Sequence, residues 1–394
     1  MLAACFLLNM LGRGMGDTYA VFLLPLEREF GWTRSQVTGV YSLYLLVNGF
    51  SAPLVGLFFD RVGPRWVYGA GVACLGTAFL LASTLATLWQ FYLFIGVMVG
   101  LAVSLNGMVP ASALLSRWYR GRLSTAIGIA FSAVGVGTLL FVPLAQYLVT
   151  ELDWRTAYRW LGIALLLAVP LVVVALPWRI YQAGHPELQG ARAKGAGQGA
   201  TLREALRSPV FWSLSQVFFF TATAMFSILV QLVAFFIDAG FSPLVAATAY
   251  GALGMLSAFS VMMSGPIAER FGYRQSVTAS FAGTATGIVL LIAITAAPSM
   301  LVLVAFVAAF GLCMGVRGPV ISTISARTFA GPNVATIYGA IYSTNALGAA
   351  FGAFMGGLLH DVTGGYVAGL VMAFCAILVA VLPFWTQPAV RDFR

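Results

Sequence analysis

Long apolar runs alternate with short polar breaks along the whole chain. Runs such as FAGTATGIVLLIAITAA (Phe281 to Ala297) and AGLVMAFCAILVAVLPF (Ala368 to Phe384) carry no charge. They approach the ~20 apolar residues that a membrane-spanning helix needs. Reading each polar break as a loop predicts twelve spans, at 2–26, 35–58, 66–84, 89–115, 123–149, 156–177, 209–236, 243–264, 275–296, 299–325, 334–358 and 366–386. One interruption is long: 179–208 is rich in glycine, alanine and charge, which marks a linker, with a short amphipathic helix predicted at TLREALR. The predicted layout is a six-helix bundle at 1–178, a linker at 179–208, and a second six-helix bundle with a short tail at 209–394.

The two halves repeat one another. Asp60-Arg61-Val62-Gly63-Pro64-Arg65 returns as Glu269-Arg270-Phe271-Gly272-Tyr273-Arg274 at an offset of 209, and Gly31-Trp32 aligns with Gly240-Phe241 at the same offset. Farther on, Asn106-Gly107 aligns with Arg317-Gly318, and Gly128 with Gly339, at 211. A repeat of that length predicts two pseudo-symmetric bundles.

Composition agrees with the pattern. With 60% apolar residues, 8% charged and a mean hydropathy of +0.94, the chain reads as a polytopic membrane protein. The net charge of +9 would suggest nucleic acid in a soluble protein, but here it is spread over inter-span loops and points to topology instead. One set of alternate loops, with the linker and the C-terminal tail, holds fifteen Lys and Arg; the other set holds only Arg28, Arg34, Arg155 and Arg159. Both termini and the linker are therefore expected on the cytoplasmic side of the cell membrane. Cys5, Cys74, Cys313 and Cys375 all lie in apolar runs without paired spacing, so neither a metal site nor a disulfide framework is expected. LAAC at Leu2 to Cys5 resembles a lipoprotein cleavage box but follows no basic or apolar leader, so the first span is expected to stay.

GLFFDRVGPRW (Gly56 to Trp66), echoed by GPIAERFGYRQ, resembles the signature loop between helices two and three of the major facilitator superfamily. The resemblance covers essentially the whole chain and implies an all-α fold of twelve transmembrane helices. It also implies that Gly56, Asp60, Arg61, Gly63 and Arg65, with Glu269, Arg270, Gly272 and Arg274, act as a conformational latch. Chemistry allows this, since Gly56 permits close helix approach and the arginines can bridge carboxylates or carbonyls. Within the superfamily, FLLPLEREFGWTRSQVTGVYS, VGLAVSLN, SRWYRGRLSTAIGIAFSAVGVG and DWRTAYRWLG resemble the monocarboxylate-transporter-like branch. Two departures stand out: LGMLSAFSVMMSG (Leu253 to Gly265) lacks the Asp and Arg pair typical of helix eight there, and Thr18 stands near the place of the helix-one lysine.

Charges inside the spans mark the candidate site. A charge at the bilayer centre costs at least about 2.5–3.5 kcal/mol, so each needs water, a partner or a task. Asn9, Arg13 and Asp17 are spaced four apart and form one stripe on the first span. Arg317 lies mid-span beside Pro319, and no acid occurs within spans seven to twelve away from their ends. Its expected counter-charge is Asp17 or a bound anion. The superfamily resemblance puts helices one, four, seven and ten around a central cavity, and so places Asp17, Asn106, Thr221 and Arg317 at one midplane site. Tyr44, Asn48, Tyr342 and Asn345 are candidates to add hydrogen bonds. His185 and His360 fall in the linker and in a loop, where solvated roles are expected.

No hydrolase triad order, HExxH or phosphate-cradling loop is present, so neither an enzyme nor an ATP-driven pump is expected, and no cofactor. The reading is a secondary transporter, a symporter moving a small organic anion, a monocarboxylate, with a proton across the bilayer. Arg317 is the expected anion contact, Asp17 the proton carrier and Arg13 its modulator or a second anion contact. The alternatives are an exporter of amphipathic compounds on the same scaffold and a non-transporting membrane receptor or assembly protein. Topology can be tested directly: single cysteines introduced near Gly195 and near Gly364 are expected to label from opposite faces of the membrane, and labelling of both from outside refutes the layout.

Overall fold

The computed structural model describes residues 1–115, 118–119, 123–183, 201–329 and 334–391. Most of the predicted linker, with His185, Arg192, Lys194 and Gly195, lies outside them, as do Arg117, Arg120, Arg122 and Arg394. The described residues are almost entirely helical and include no strand. Among them, nine helical stretches, from Pro64–Ala82 to Val367–Thr386, are long and apolar enough to cross a membrane. The other three predicted spans, 2–26, 35–58 and 334–358, fall on the helices Leu2–Asp17 with Tyr19–Phe30, Arg34–Val62 and Val334–Thr363.

Helix ends follow local chemistry. Thr33 caps Arg34–Val62 through a reciprocal box with Gln36. Asp153 caps Trp154–Pro170 by accepting a 2.7 Å hydrogen bond from the Thr156 N–H, and that bond holds its carboxyl below the usual range. The duplicated loop is visible in the backbone: Gly63 (φ 86°, ψ 164°) and Gly272 (φ 85°, ψ 149°) turn the chain between helices with nearly the same dihedrals. A side chain strains such a backbone, which explains why glycine stands in both copies.

The chain gathers into two compact units, one of residues 1–192 with 230–255 and the other of 193–229 with 256–394. Residues 230–255, drawn from the sequence as part of the second half, thus pack with the first. Arg34 is one reason. It is 3% exposed, with Glu27 at 3.0 Å and Asp238 at 3.6 Å, so an arginine counted as a loop charge is a buried cation compensated by two carboxylates.

Each unit uses the same pairings. In the first, Leu2–Asp17 lies along Leu123–Glu151, and Pro64–Ala82 lies along Trp154–Pro170. In the second, Pro209–Leu229 lies along Val334–Thr363, and Tyr273–Ala296 along Val367–Val381. Small residues set the spacing in both. A Cβ on Gly137 would fall 2.4 Å from the Met10 carbonyl oxygen, and one on Gly348, 211 positions on, 2.2 Å from the Phe219 carbonyl oxygen. Gly339 on the same helix has nothing within 4 Å. Gly348→Ala is therefore expected to lower the Tm of the purified protein by several degrees, because backbone cannot move aside as a flexible side chain can. Gly339→Ala is expected to be neutral or to stabilise by up to about 1 kcal/mol. Equal Tm values for the two variants would refute the close approach.

Candidate functional site

Four helices expected to line the central cavity are each interrupted part-way. The first stops at Asp17 and resumes at Tyr19; the fourth stops at Asn106 and resumes at Met108. The seventh runs Pro209–Leu229 and then Leu232–Asp238; the tenth runs Met300–Met314 and then Arg317–Thr328. Breaks in membrane helices are tolerated where they are buried in protein or line a water-filled cavity, and transporter binding sites are commonly built from such half-helices. Asp17, Asn106 and Arg317 each border one of these breaks.

In the first unit, Asp17 is 8% exposed. It accepts a 2.8 Å hydrogen bond from the Thr138 hydroxyl and lies 3.4 Å from Arg13 Nε, and Tyr41 reaches the same carboxylate. Arg13 is the more accessible partner, with a quarter of its side chain exposed, and its guanidinium sits 5.9 Å from the Tyr44 ring centre. The Tyr44 hydroxyl is buried without a hydrogen-bond partner among the described residues. Asn48 donates to the Gly100 carbonyl at 3.5 Å. Asn106 stands apart from this group. It is fully buried, and its side chain is wedged where a Cβ on Gly12 or Gly71 would lie within 2.7 Å of it. Its amide donates to the Ala102 carbonyl at 2.9 Å.

In the second unit, Arg317 is 1% exposed. Its polar contacts come from the helix Tyr273–Ala296: Nε donates to Ser280 Oγ at 3.0 Å, and Nη2 donates to the Ser280 carbonyl at 3.3 Å and to the Thr284 hydroxyl. The Phe281 ring lies 4.4 Å from the guanidinium carbon. No carboxylate pairs with it among the described residues. Thr221 is buried, with its hydroxyl unpartnered among the described residues. Tyr342 is half exposed with its ring perpendicular to that of Phe218, and Asn345 is partly buried one turn on.

The latch residues lie at or near the ends of their helices. Arg61, Arg65, Glu269 and Arg270 are exposed, and Gly56 packs loosely on Val109. The Arg65 guanidinium lies over the Trp66 ring at 5.4 Å and that of Arg274 over the Trp385 ring at 3.7 Å. The side chain of Asp60 lies outside the described residues.

Several contributors were not read from the sequence. Thr138 and Tyr41 sit in apolar helices with no local signal. Ser280 and Thr284 did carry one, two hydroxyls four residues apart on one helix face.

Comparison with known proteins completes the picture. The family model described as Major Facilitator Superfamily matches residues 2–296 and 240–392. Monocarboxylate transporter 13 of Bos taurus is 27% identical over 366 residues, which is 93% of this chain and 83% of the relative. Monocarboxylate transporter 12 of Rattus norvegicus is 25% identical over 96% of this chain and 83% of its own length. Among solved structures, a bacterial homologue of the human lysosomal transporter Spinster, inward-facing and occupied, superposes with a TM-score of 0.72. That match is at 16% identity and covers 100% of this chain and 96% of that one, and it speaks for the fold alone. Matched along nearly its whole length by one family model, and almost entirely helical in its described residues, with half-helices meeting at buried polar side chains, the chain belongs to the major facilitator superfamily and is a multi-pass membrane transporter, not an enzyme.

Proposed function

We propose that this transporter carries a small organic anion, a monocarboxylate, together with a proton by alternating access across the cell membrane, with both termini on the cytoplasmic side. The observation that carries the reading is Arg317: a buried cation that, among the described residues, is met by hydroxyls, a carbonyl and an aromatic face and by no carboxylate. Burying a charge without a counter-ion is expensive, and an anionic substrate supplies the missing charge. The substrate class is supported by the two relatives, both monocarboxylate transporters.

Asp17 is the proposed proton carrier. It is paired with Arg13, which is the more exposed of the two and so can be drawn away by an anion. A carboxylate left without its cation in dry surroundings holds a proton more readily, so anion and proton bind together. Tyr44, Asn48, Thr221, Tyr342 and Asn345 are proposed as further hydrogen-bonding contacts on the substrate's path.

Two experiments test the reading in proteoliposomes. Arg317→Lys is expected to weaken monocarboxylate binding by about ten-fold or more, since an ammonium lacks the planar donor array, and Arg317→Ala to abolish it with the protein still folded. Retained binding in Arg317→Ala shifts the anion contact to Arg13. Asp17→Asn is expected to keep exchange down the substrate gradient while losing accumulation driven by a pH gradient. Accumulation that survives in Asp17→Asn means the proton travels by another route.

A further inference from the structure

The two hydroxyls that hold Arg317 have no freedom to do anything else. Each hydroxyl carries one proton and two lone pairs. The Ser280 hydroxyl donates its proton to the Cys313 carbonyl, and the Thr284 hydroxyl donates its own to the Ser280 carbonyl at 3.0 Å. What each turns toward Arg317 is a lone pair. Together with the Ser280 carbonyl they form a neutral, fixed set of acceptors that occupies Nε and Nη2. The third nitrogen, Nη1, is buried without a hydrogen-bond partner among the described residues.

A neutral seat differs in kind from an acidic one. A carboxylate at this place would cancel the charge of Arg317 and compete with any incoming anion. Dipoles orient the guanidinium and leave its charge in full, in surroundings dry enough for that charge to act strongly.

The repeat gives an independent line of argument. Gly71 stands 209 positions before Ser280, and Asn106 stands 211 before Arg317. These two also touch: a Cβ on Gly71 would lie 2.3 Å from Asn106 Nδ2. Val72 and Leu75 stand where Phe281 and Thr284 do. The scaffold therefore makes this contact in both units, filled by neutral packing in one and by hydroxyls and a cation in the other. The polar seat accompanies the charge.

We propose that Ser280 and Thr284 are positioning residues that seat Arg317 through Nε and Nη2, so that the anion is met by Nη1 alone. This rests on Arg317 being the anion contact. A single nitrogen with two N–H groups satisfies one carboxylate, and a second charge on the same ligand finds no donor in this seat. Nη1 is sealed in this conformation, so the anion reaches it in another state of the transport cycle.

The test uses purified full-length protein in proteoliposomes, with acetate, lactate and benzoate as monocarboxylate probes and succinate as the dianion. Thr284→Val keeps the side-chain shape and removes the acceptor; it is expected to raise the Kd for the bound monocarboxylate by about ten-fold, the scale of one charge-assisted hydrogen bond, with the maximal exchange rate within about two-fold of wild type. Thr284→Ser is expected to restore the Kd. Ser280→Ala is expected to shift Kd in the same direction and serves as the second variant if Thr284→Val does not fold. Wild-type protein is expected to prefer the monocarboxylate over succinate, and the preference to narrow in the seat variants.

An unchanged Kd in either folded variant, with a lower Tm or a lower maximal rate, overturns the proposal and leaves the hydroxyls as packing. If Arg317→Ala binds as wild type does, or wild type binds none of the monocarboxylates, the underlying assignment fails. If Arg317→Ala loses binding while Thr284→Val and Ser280→Ala keep it, only the seat fails.

Discussion

A peptide group inside hydrocarbon has no water to bond, and each one left unpaired costs several kcal/mol. Every span must therefore be helical unless something else satisfies the freed groups, and the interruptions in this chain show how that is done. At the first break the Thr18 hydroxyl and N–H both return to the Met15 carbonyl. At the fourth-span break the Gly107 N–H reaches the Ser104 carbonyl at 3.3 Å. Local repair of this kind lets a helix stop and restart in the membrane interior. It also sets Asp17, Asn106 and Arg317 at helix ends, where side chains are not confined to a regular face.

Much of this was legible in the chain. The predicted spans 156–177 and 275–296 became helices Trp154–Ala175 and Tyr273–Ala296, because apolar runs bounded by charge leave few choices. Helix ends were less visible. Arg34–Val62 and Val334–Thr363 run past the apolar segments that announced them, since a helix persists beyond the hydrocarbon while its polar residues meet water. The break at Thr18 was hidden by the apolar residues that continue through Leu24, whereas Pro319 and the glycines at 315 and 318 did announce the one near Arg317.

The candidate site was legible in its charges and illegible in its partners. Hydropathy picks out Arg13, Asp17 and Arg317 because each is costly in lipid. It gives no hint that Thr138 would reach Asp17 from another helix, nor that Arg34 would leave its loop for a buried place between Glu27 and Asp238. Asn106 shows the converse. The superfamily resemblance made it a candidate ligand contact through its place on the fourth helix, and nothing in the sequence signalled that Gly12 and Gly71 would let neighbouring helices close in around it.

The contact between the third and fourth helices of each half also shows that the two copies of the repeat are not spaced alike. Ser280 and Arg317 lie 37 residues apart, and their counterparts Gly71 and Asn106 are two residues closer. The spacing between the touching positions thus differs by two residues without breaking the touch, and the connection between the two helices, after Ala82 in one copy and after Ala296 in the other, lies inside both intervals and can absorb the difference. Equivalent contacts stand at opposite ends of the polarity scale: a glycine and an amide in one copy, a hydroxyl and a full positive charge in the other. The two halves thus present opposite chemistry at one equivalent contact, a neutral amide in the first and a full positive charge in the second, while the first half carries its own charges, Arg13 and Asp17, on a different helix.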